Sequence, residues 1–235
     1  MPLGPLETRY LIVIAGLLSP LAADPGGLSS DEILARLEAE TNRRHVLLRE
    51  YSSSRQYKLQ NLRFGKQAAV SVLMKYRQLE GERYTVVTRS GSDKLNGIID
   101  KVMASEADAS LPLENFRHEI TSANYRASLA GTEVAMGRDC YVLELAPRMK
   151  SRFLIVGRVW VDRSSYGVVR LDGRFASSLS TLVGAPHIRE EFIEVQGFWL
   201  PGHVRSVTSS FLLGPTELDI AFSDYQLDPN PAPMQ

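Results

Sequence analysis

Apolar and polar positions alternate along most of this chain with the period of a β-strand. In Gln67–Leu79, Val70, Val72, Met74 and Tyr76 share one face, while Ser71, Lys75 and Arg77 share the other, with Leu73 the exception. The stretch Gly137–Phe175 reads as three consecutive antiparallel strands. These are Cys140–Leu145, stopped by Ala146-Pro147; Arg152–Val161, followed by the turn Asp162-Arg163-Ser164-Ser165; and Tyr166–Leu171, ending at Asp172-Gly173. Further strands are predicted at Tyr51–Leu62, Arg83–Thr88, Asn124–Ala130, Ile188–Val195, Val204–Leu212 and Leu218–Tyr225. Arg63-Phe64-Gly65, Glu80-Gly81-Glu82, Gly131 and the aromatic segment Gly197–Gly202 read as turns between them. Ser177–Ala185 is small and polar, a loop or lid, and Asp228–Gln235, with three prolines, reads as a frayed tail. The whole is a meander of antiparallel hairpins with one dry and one wet face.

Two segments switch to a helical period. Ser29–Leu48 is an amphipathic helix: Ser29 and Glu32 fit a capping box, and Ile33, Leu34 and Leu37 recur at helical spacing. Arg36, Glu40, Arg43 and Arg44 occupy its other face, and Glu38, Glu40 and Glu50 neutralise the basic cluster Arg43-Arg44-His45, so that face reads as solvated. A second helix interrupts the meander after Ser90-Gly91-Ser92. Leu95, Ile98, Ile99, Val102 and Met103 form a full core-facing stripe on it. Gly97 lies inside this helix at a cost of up to ~1 kcal/mol against Ala, so packing on the sheet must hold it. Pro112 opens a shorter helical segment, Leu113–His118.

The first residues have a different character. Leu11–Leu18 is an apolar core behind Arg9, and Leu21-Ala22-Ala23 offers a small-residue cleavage site. The expectation is a signal peptide over residues 1–23 and a single domain over 24–235. The alternative is an uncleaved N-terminal anchor. No Cys follows the apolar run, which argues against lipid attachment there.

Charge adds little. Lys and Arg number 27 against 27 Asp and Glu, and removing residues 1–23 leaves 26 against 26, because Arg9 and Glu7 go together. This balance gives no footprint for nucleic acid or an anionic surface. With 44% hydrophobic residues, 235 residues can bury one sizeable core. The single cysteine, Cys140, precludes an intramolecular disulfide and reads as a buried thiol.

Candidate chemistry is sparse. His45, His118, His187 and His203 lie in different elements and form no metal-binding pair. No GxSxG, SxxK, GxGxxG or Walker-type loop is present. Glu144, Glu190 and Glu191 lie in strong strands. Adjacent Glu190 and Glu191 point to opposite faces and cannot act as a pair, and all three read as solvated and outward-facing. The chain therefore reads as a non-enzyme without cofactor or metal.

What remains is apolar surface. Tyr141, Leu143 and Leu145 share a face, as do Phe153, Ile155, Val159 and Val161, with Gly157 leaving a gap. Leu154, Val156 and Trp160 make the opposite face apolar too. Such a strand is buried on both sides or lines a cavity on one. The pattern leaves open whether helices simply fill the concave side as ordinary core.

The phrases GRDCYVLELAPR, GRVWVDRSSYGVVRLDG, GFWLPGHVRS and LDIAFSDYQ, with GERYTVVTRSGS and ITSANYRASLAGTE upstream, resemble the LolA/LolB-like superfamily of bacterial periplasmic proteins, most closely the outer membrane lipoprotein-sorting type. The resemblance runs from about Leu34 to Tyr225. It implies an α+β, β-rich fold: a curved antiparallel half-barrel whose concave face is covered by helices. It also implies a periplasmic carrier that binds the acyl chain of a lipid or lipoprotein, served by inner- or outer-membrane lipoprotein machinery and read as a monomer. The implied cavity lining is Val72, Met74, Tyr76, Tyr141, Leu143, Leu145, Val159 and Val161, with Ile98, Ile99 and Val102 as lid. LolA members use a specific arginine for lid closure, and which arginine here would correspond to it is left open; the lipidated cysteine of LolB members is absent. A non-catalytic envelope sensor on the same fold is the alternative.

Overall fold

The computed structural model of the chain describes residues 27–112, 117–151, 153–178, 184–210 and 214–229. The predicted leader lies outside them, as does most of Leu113–His118, of the 177–185 loop and of the C-terminal tail.

Helix α1 spans Ser30–Leu47. The Ser29 side chain accepts from the Glu32 N–H at 3.2 Å and the Ser29 N–H donates to Glu32 Oε2 at 2.8 Å, so the capping box closes as its spacing predicts. The helix passes without a loop into β1 (Leu48–Asn61). Next come β2 (Lys66–Arg77), β3 (Gly81–Gly91) and helix α2 (Asp93–Ala109). The remaining strands are β4 (Tyr125–Ala135), β5 (Arg138–Pro147), β6 (Ile155–Asp162), β7 (Val168–Phe175), β8 (His187–Val195), β9 (Phe198–Ser210) and β10 (Gly214–Pro229). They form one sheet in the order β3-β2-β1-β10-β9-β8-β7-β6-β5-β4, and the paired neighbours are antiparallel. Strands β3 and β4 are its two edges, so the sheet is open. The α+β, β-rich antiparallel class expected from the sequence is the one observed.

The sheet curls toward the helices. Helix α1 leaves β1 and packs against β4, seven strand intervals away. Its 18 residues reach roughly 27 Å, whereas seven intervals of a flat sheet would measure roughly 34 Å.

Two predicted turns are strand interior. Gly131 does not end β4: at φ +140° it sits in a bulge where the register skips Ala130 between Leu129↔Leu143 and Gly131↔Val142. The aromatic segment is not a turn either. Gln196-Gly197, both at positive φ, make the hairpin turn, and Phe198, Trp199 and Leu200 open β9 as buried residues. Pro201 sits at the register shift between Glu191 and Phe192, the kind of irregularity in which a strand tolerates proline. Strand β6 also begins at Ile155, later than the alternation suggests.

Four side-chain clusters among the described residues hold this arrangement, the smallest being Leu48, Phe198 and Leu200. On the helix side, Ile33 and Leu37 of α1 pack with Tyr125, Leu143, Leu145, Val159, Val161 and Leu171. Leu95, Ile99 and Met103 of α2 pack with Tyr57, Val70, Val72, Val204 and Ile220. On the opposite side, Cys140, Val142, Trp160, Val169 and Trp199 form a third cluster. Guanidinium groups roof it, Arg170 at 3.8 Å over the Trp160 ring and Arg138 at 5.2 Å over Trp199. The sheet is therefore apolar on both faces of β5 and β6 because it carries core on both. Burial pushes the Cys140 thiol up to about 11, consistent with an inert structural role.

Candidate functional site between the two helices

The residues predicted to line a cavity all face the helices, but they do not form one continuous lining. Val72, Ile98, Ile99 and Val102 belong to the α2 cluster. Tyr141, Leu143, Leu145, Val159 and Val161 belong to the α1 cluster. Met74 is buried on the same face of β2, and Tyr76 packs on Tyr51 with ring centroids 4.9 Å apart. Helix α2 packs on β1, β2 and β3, so Ile98, Ile99 and Val102 cover that end of the sheet. The cover over Leu143, Val159 and Val161, which are wholly buried, comes from Ile33 and Leu37 of α1.

Between these packed ends the character changes. Ile188 touches both clusters. Registers Ile188↔Ser206↔Leu218 and Glu190↔Val204↔Ile220 put Ile188, Glu190, Ser206 and Leu218 on the helix side, in the middle of the sheet. Ile188, Glu190, Ser206, Leu218 and Phe222 are only half-buried there, as are Tyr84, Ile98 and Val102 at the α2 side. This half-buried row on the inner face runs between the two clusters that α1 and α2 cover.

A charged network borders this row. Arg55, 4% exposed, donates from Nη2 to Glu82 Oε1 at 2.6 Å and from Nη1 to Glu106 Oε2 at 3.2 Å and to the Tyr84 hydroxyl at 2.8 Å. The Tyr57 hydroxyl donates to Glu106 Oε2 at 2.6 Å. Burial opposes the Arg55 charge, but Glu82, Tyr84 and Glu106 hold its titration well above the usual range. Burial pushes the Glu106 carboxyl up against the pull of Arg55. These contacts tie β1, β3 and α2 together beside the half-buried row.

Glu190 is the group that the sequence alone misplaces. It faces inward, between Leu171 of β7 and Val204 of β9, rather than into solvent. Burial first, then Glu106, pushes its carboxyl up to about 7, with Arg44 and Arg55 acting in the other direction. Among the described residues it makes no hydrogen bond or ion pair. The signal was present in the alternation: Ile188, Glu190 and Phe192 share a parity, which places one carboxylate in an apolar row.

The other titratable groups are dispersed. His45 lies 3.3 Å from Glu119, His187 3.1 Å from Asp172 and His203 2.8 Å from Asp219, on separate elements. Among the described residues no three His, Cys, Asp or Glu side chains gather where a metal ion could be held. Two surface grooves of about 510 Å³ each lie on the side away from the helices. One is lined chiefly by Val156, Arg158, Trp160 and Arg174, the other by Ser52, Ser54, Leu73 and Lys75.

No family model and no curated protein sequence matches the chain. Solved structures similar to this one include a LolA superfamily protein from Nitrosomonas europaea, at 15% identity and a TM-score of 0.38, covering 87% of this chain and 96% of that one. A domain described as an outer membrane lipoprotein-sorting protein from Vibrio parahaemolyticus is similar at 12% identity and a TM-score of 0.41, covering 82% and 91%. A Pseudomonas aeruginosa MucA/MucB complex structure is similar at 13% identity and a TM-score of 0.28, covering 85% and 99%. LolA superfamily proteins thus stand among the structural neighbours, as the sequence phrases suggest, and at these identities and scores the likeness carries nothing about ligand or partner.

Proposed function

We propose that this protein is a non-catalytic carrier that holds an acyl chain of a lipid or lipoprotein in the space between α1, α2 and strands β8–β10. The observation that carries the reading is the half-buried inner row of Ile188, Leu218 and Phe222 lying between two fully packed clusters. A protein with no ligand to accommodate would gain by closing these side chains into the core. Each cargo methylene buried there contributes about 0.8 kcal/mol. In this reading residues 1–23 are an export leader, residues 24–235 form one domain, the site of action is the periplasm, and inner- or outer-membrane lipoprotein machinery loads or receives the cargo. The lining proposed from the sequence is retained as the packed walls of the space, with Ile188, Val204 and Phe222 as its floor.

Binding of an uncharged fluorescent acyl probe tests this, with Val204→Trp as the space-filling variant. The expected result is saturable probe binding to the native protein and its loss in Val204→Trp, with the far-UV spectrum unchanged. Equal binding by both proteins would place the probe elsewhere. No binding by either would leave the non-catalytic envelope sensor as the reading of this fold.

A further inference from the structure

We infer that the interior recognises a ligand whose polar end carries a protonated amine, held by the Glu190 carboxylate while the apolar chain lies over Ile188, Val204 and Phe222. The inference rests on the carrier reading and specifies its cargo.

Glu190 is the interior carboxyl without a hydrogen-bond or ion-pair partner among the described residues. Arg55 is engaged by both Glu82 and Glu106. Glu106 also receives the Tyr57 hydroxyl. Arg44 of α1 donates to the Trp199 carbonyl oxygen at 3.4 Å, and His45 lies beside Glu119. Glu190 is left between Leu171 and Val204, in surroundings where an unpaired ionised carboxylate is costly. The groups that act on it are Glu106 from α2, Arg44 from α1 and Arg55 from β1. With Glu82 and Glu119 included, four carboxyls stand against two guanidinium groups; Glu82 and Glu106 pair with Arg55 and Glu119 with His45, which leaves Glu190 as the carboxyl without a cation in contact. An ammonium group supplies both the missing charge and the missing donors in one charge-assisted hydrogen bond. A second carboxylate, as on a free fatty acid, would add to the surplus. A neutral alcohol would leave it uncompensated.

Three amphiphiles with the same chain separate these cases: dodecylamine, dodecanol and dodecanoate, each titrated calorimetrically into the protein and into Glu190→Gln. The expected result is that dodecylamine binds the native protein tighter than dodecanol by on the order of tenfold or more. In Glu190→Gln the two should bind alike, with dodecanol affinity unchanged. Acidifying the native protein to about pH 5 should remove the amine preference without any substitution, because Glu190 is then protonated while the amine keeps its charge. A preference that persists in the variant or at low pH, equal binding of amine and alcohol, or tightest binding of dodecanoate would overturn the inference and leave the carrier reading standing. Failure of all three amphiphiles to bind would remove the carrier reading itself.

Discussion

Arg55 Nη1 lies 3.2 Å from Glu106 Oε2, so a guanidinium rooted in the middle of β1 is paired with a carboxylate on the helix above it. The same guanidinium holds Glu82 of β3 at 2.6 Å. Truncating Arg55 to Ala would leave two carboxylates sharing a buried site, and removing one partner from such a set costs about 3–5 kcal/mol. Urea denaturation of Arg55→Ala should show a loss of this size. A loss below about 1 kcal/mol would mean that α2 is held by Leu95, Ile99 and Met103 alone.

The inward carboxyl of Glu190 makes stability depend on pH. Its folded value, about 7, lies above the ordinary 4.5, so the folded protein binds the proton more tightly than the unfolded chain. The contribution is therefore complete below about pH 4.5, declines as pH rises and is gone above about pH 7. The full change is at most about 3 kcal/mol, and less to the extent that Glu190 keeps contact with water. Glu106 acts with the same sign. Glu190→Gln should flatten the profile and unfold at higher urea than the native protein at about pH 8. A variant that is less stable than the native protein at that pH would show that Glu190 has a favourable partner after all.

The two helices begin alike in sequence and differ in how they are capped. Ser29 closes a capping box with Glu32, whereas Ser92 makes no side-chain cap hydrogen bond. Ser29→Ala should cost about 1 kcal/mol, and Ser92→Ala should stay within about 0.5 kcal/mol. Thermal unfolding of both variants decides this, and equal losses would contradict it.

On the face away from the helices, Gly167 lies against the Trp199 indole, whose Nε1 donates to Ser165 Oγ at 2.9 Å. A Cβ on residue 167 would sit 1.9 Å from Trp199 Cδ1. Gly167→Ala should therefore destabilise by about 1–3 kcal/mol and shift the tryptophan emission. Unchanged emission and stability would show that the indole has room to move.

Strand alternation and the α2 stripe were legible because they repeat over many residues, and tertiary context could not override them. Gly131 and Pro201-Gly202 were not, because a bulge and a turn use the same residues, and only the partner strand decides which forms. The residues proposed as lining lie on the helix side of the sheet. Their division into two clusters depends on α1 crossing to β4, a contact that no local pattern encodes. Glu190 was readable by parity, yet charge suggested solvent, and parity proved the stronger signal. Arg55 sits in the same way in the row Tyr51, Ser53, Arg55, Tyr57, Leu59, where two carboxylates distant in sequence supply its partners.

The most direct test of the central claim is native mass spectrometry of the protein purified without detergent, followed by solvent extraction. The account predicts an added mass that denaturation releases as an acyl-bearing molecule, absent from Val204→Trp prepared in the same way. A clean protein mass in both preparations, together with no uptake of an uncharged acyl probe, would contradict it and return Ile188, Leu218 and Phe222 to plain core.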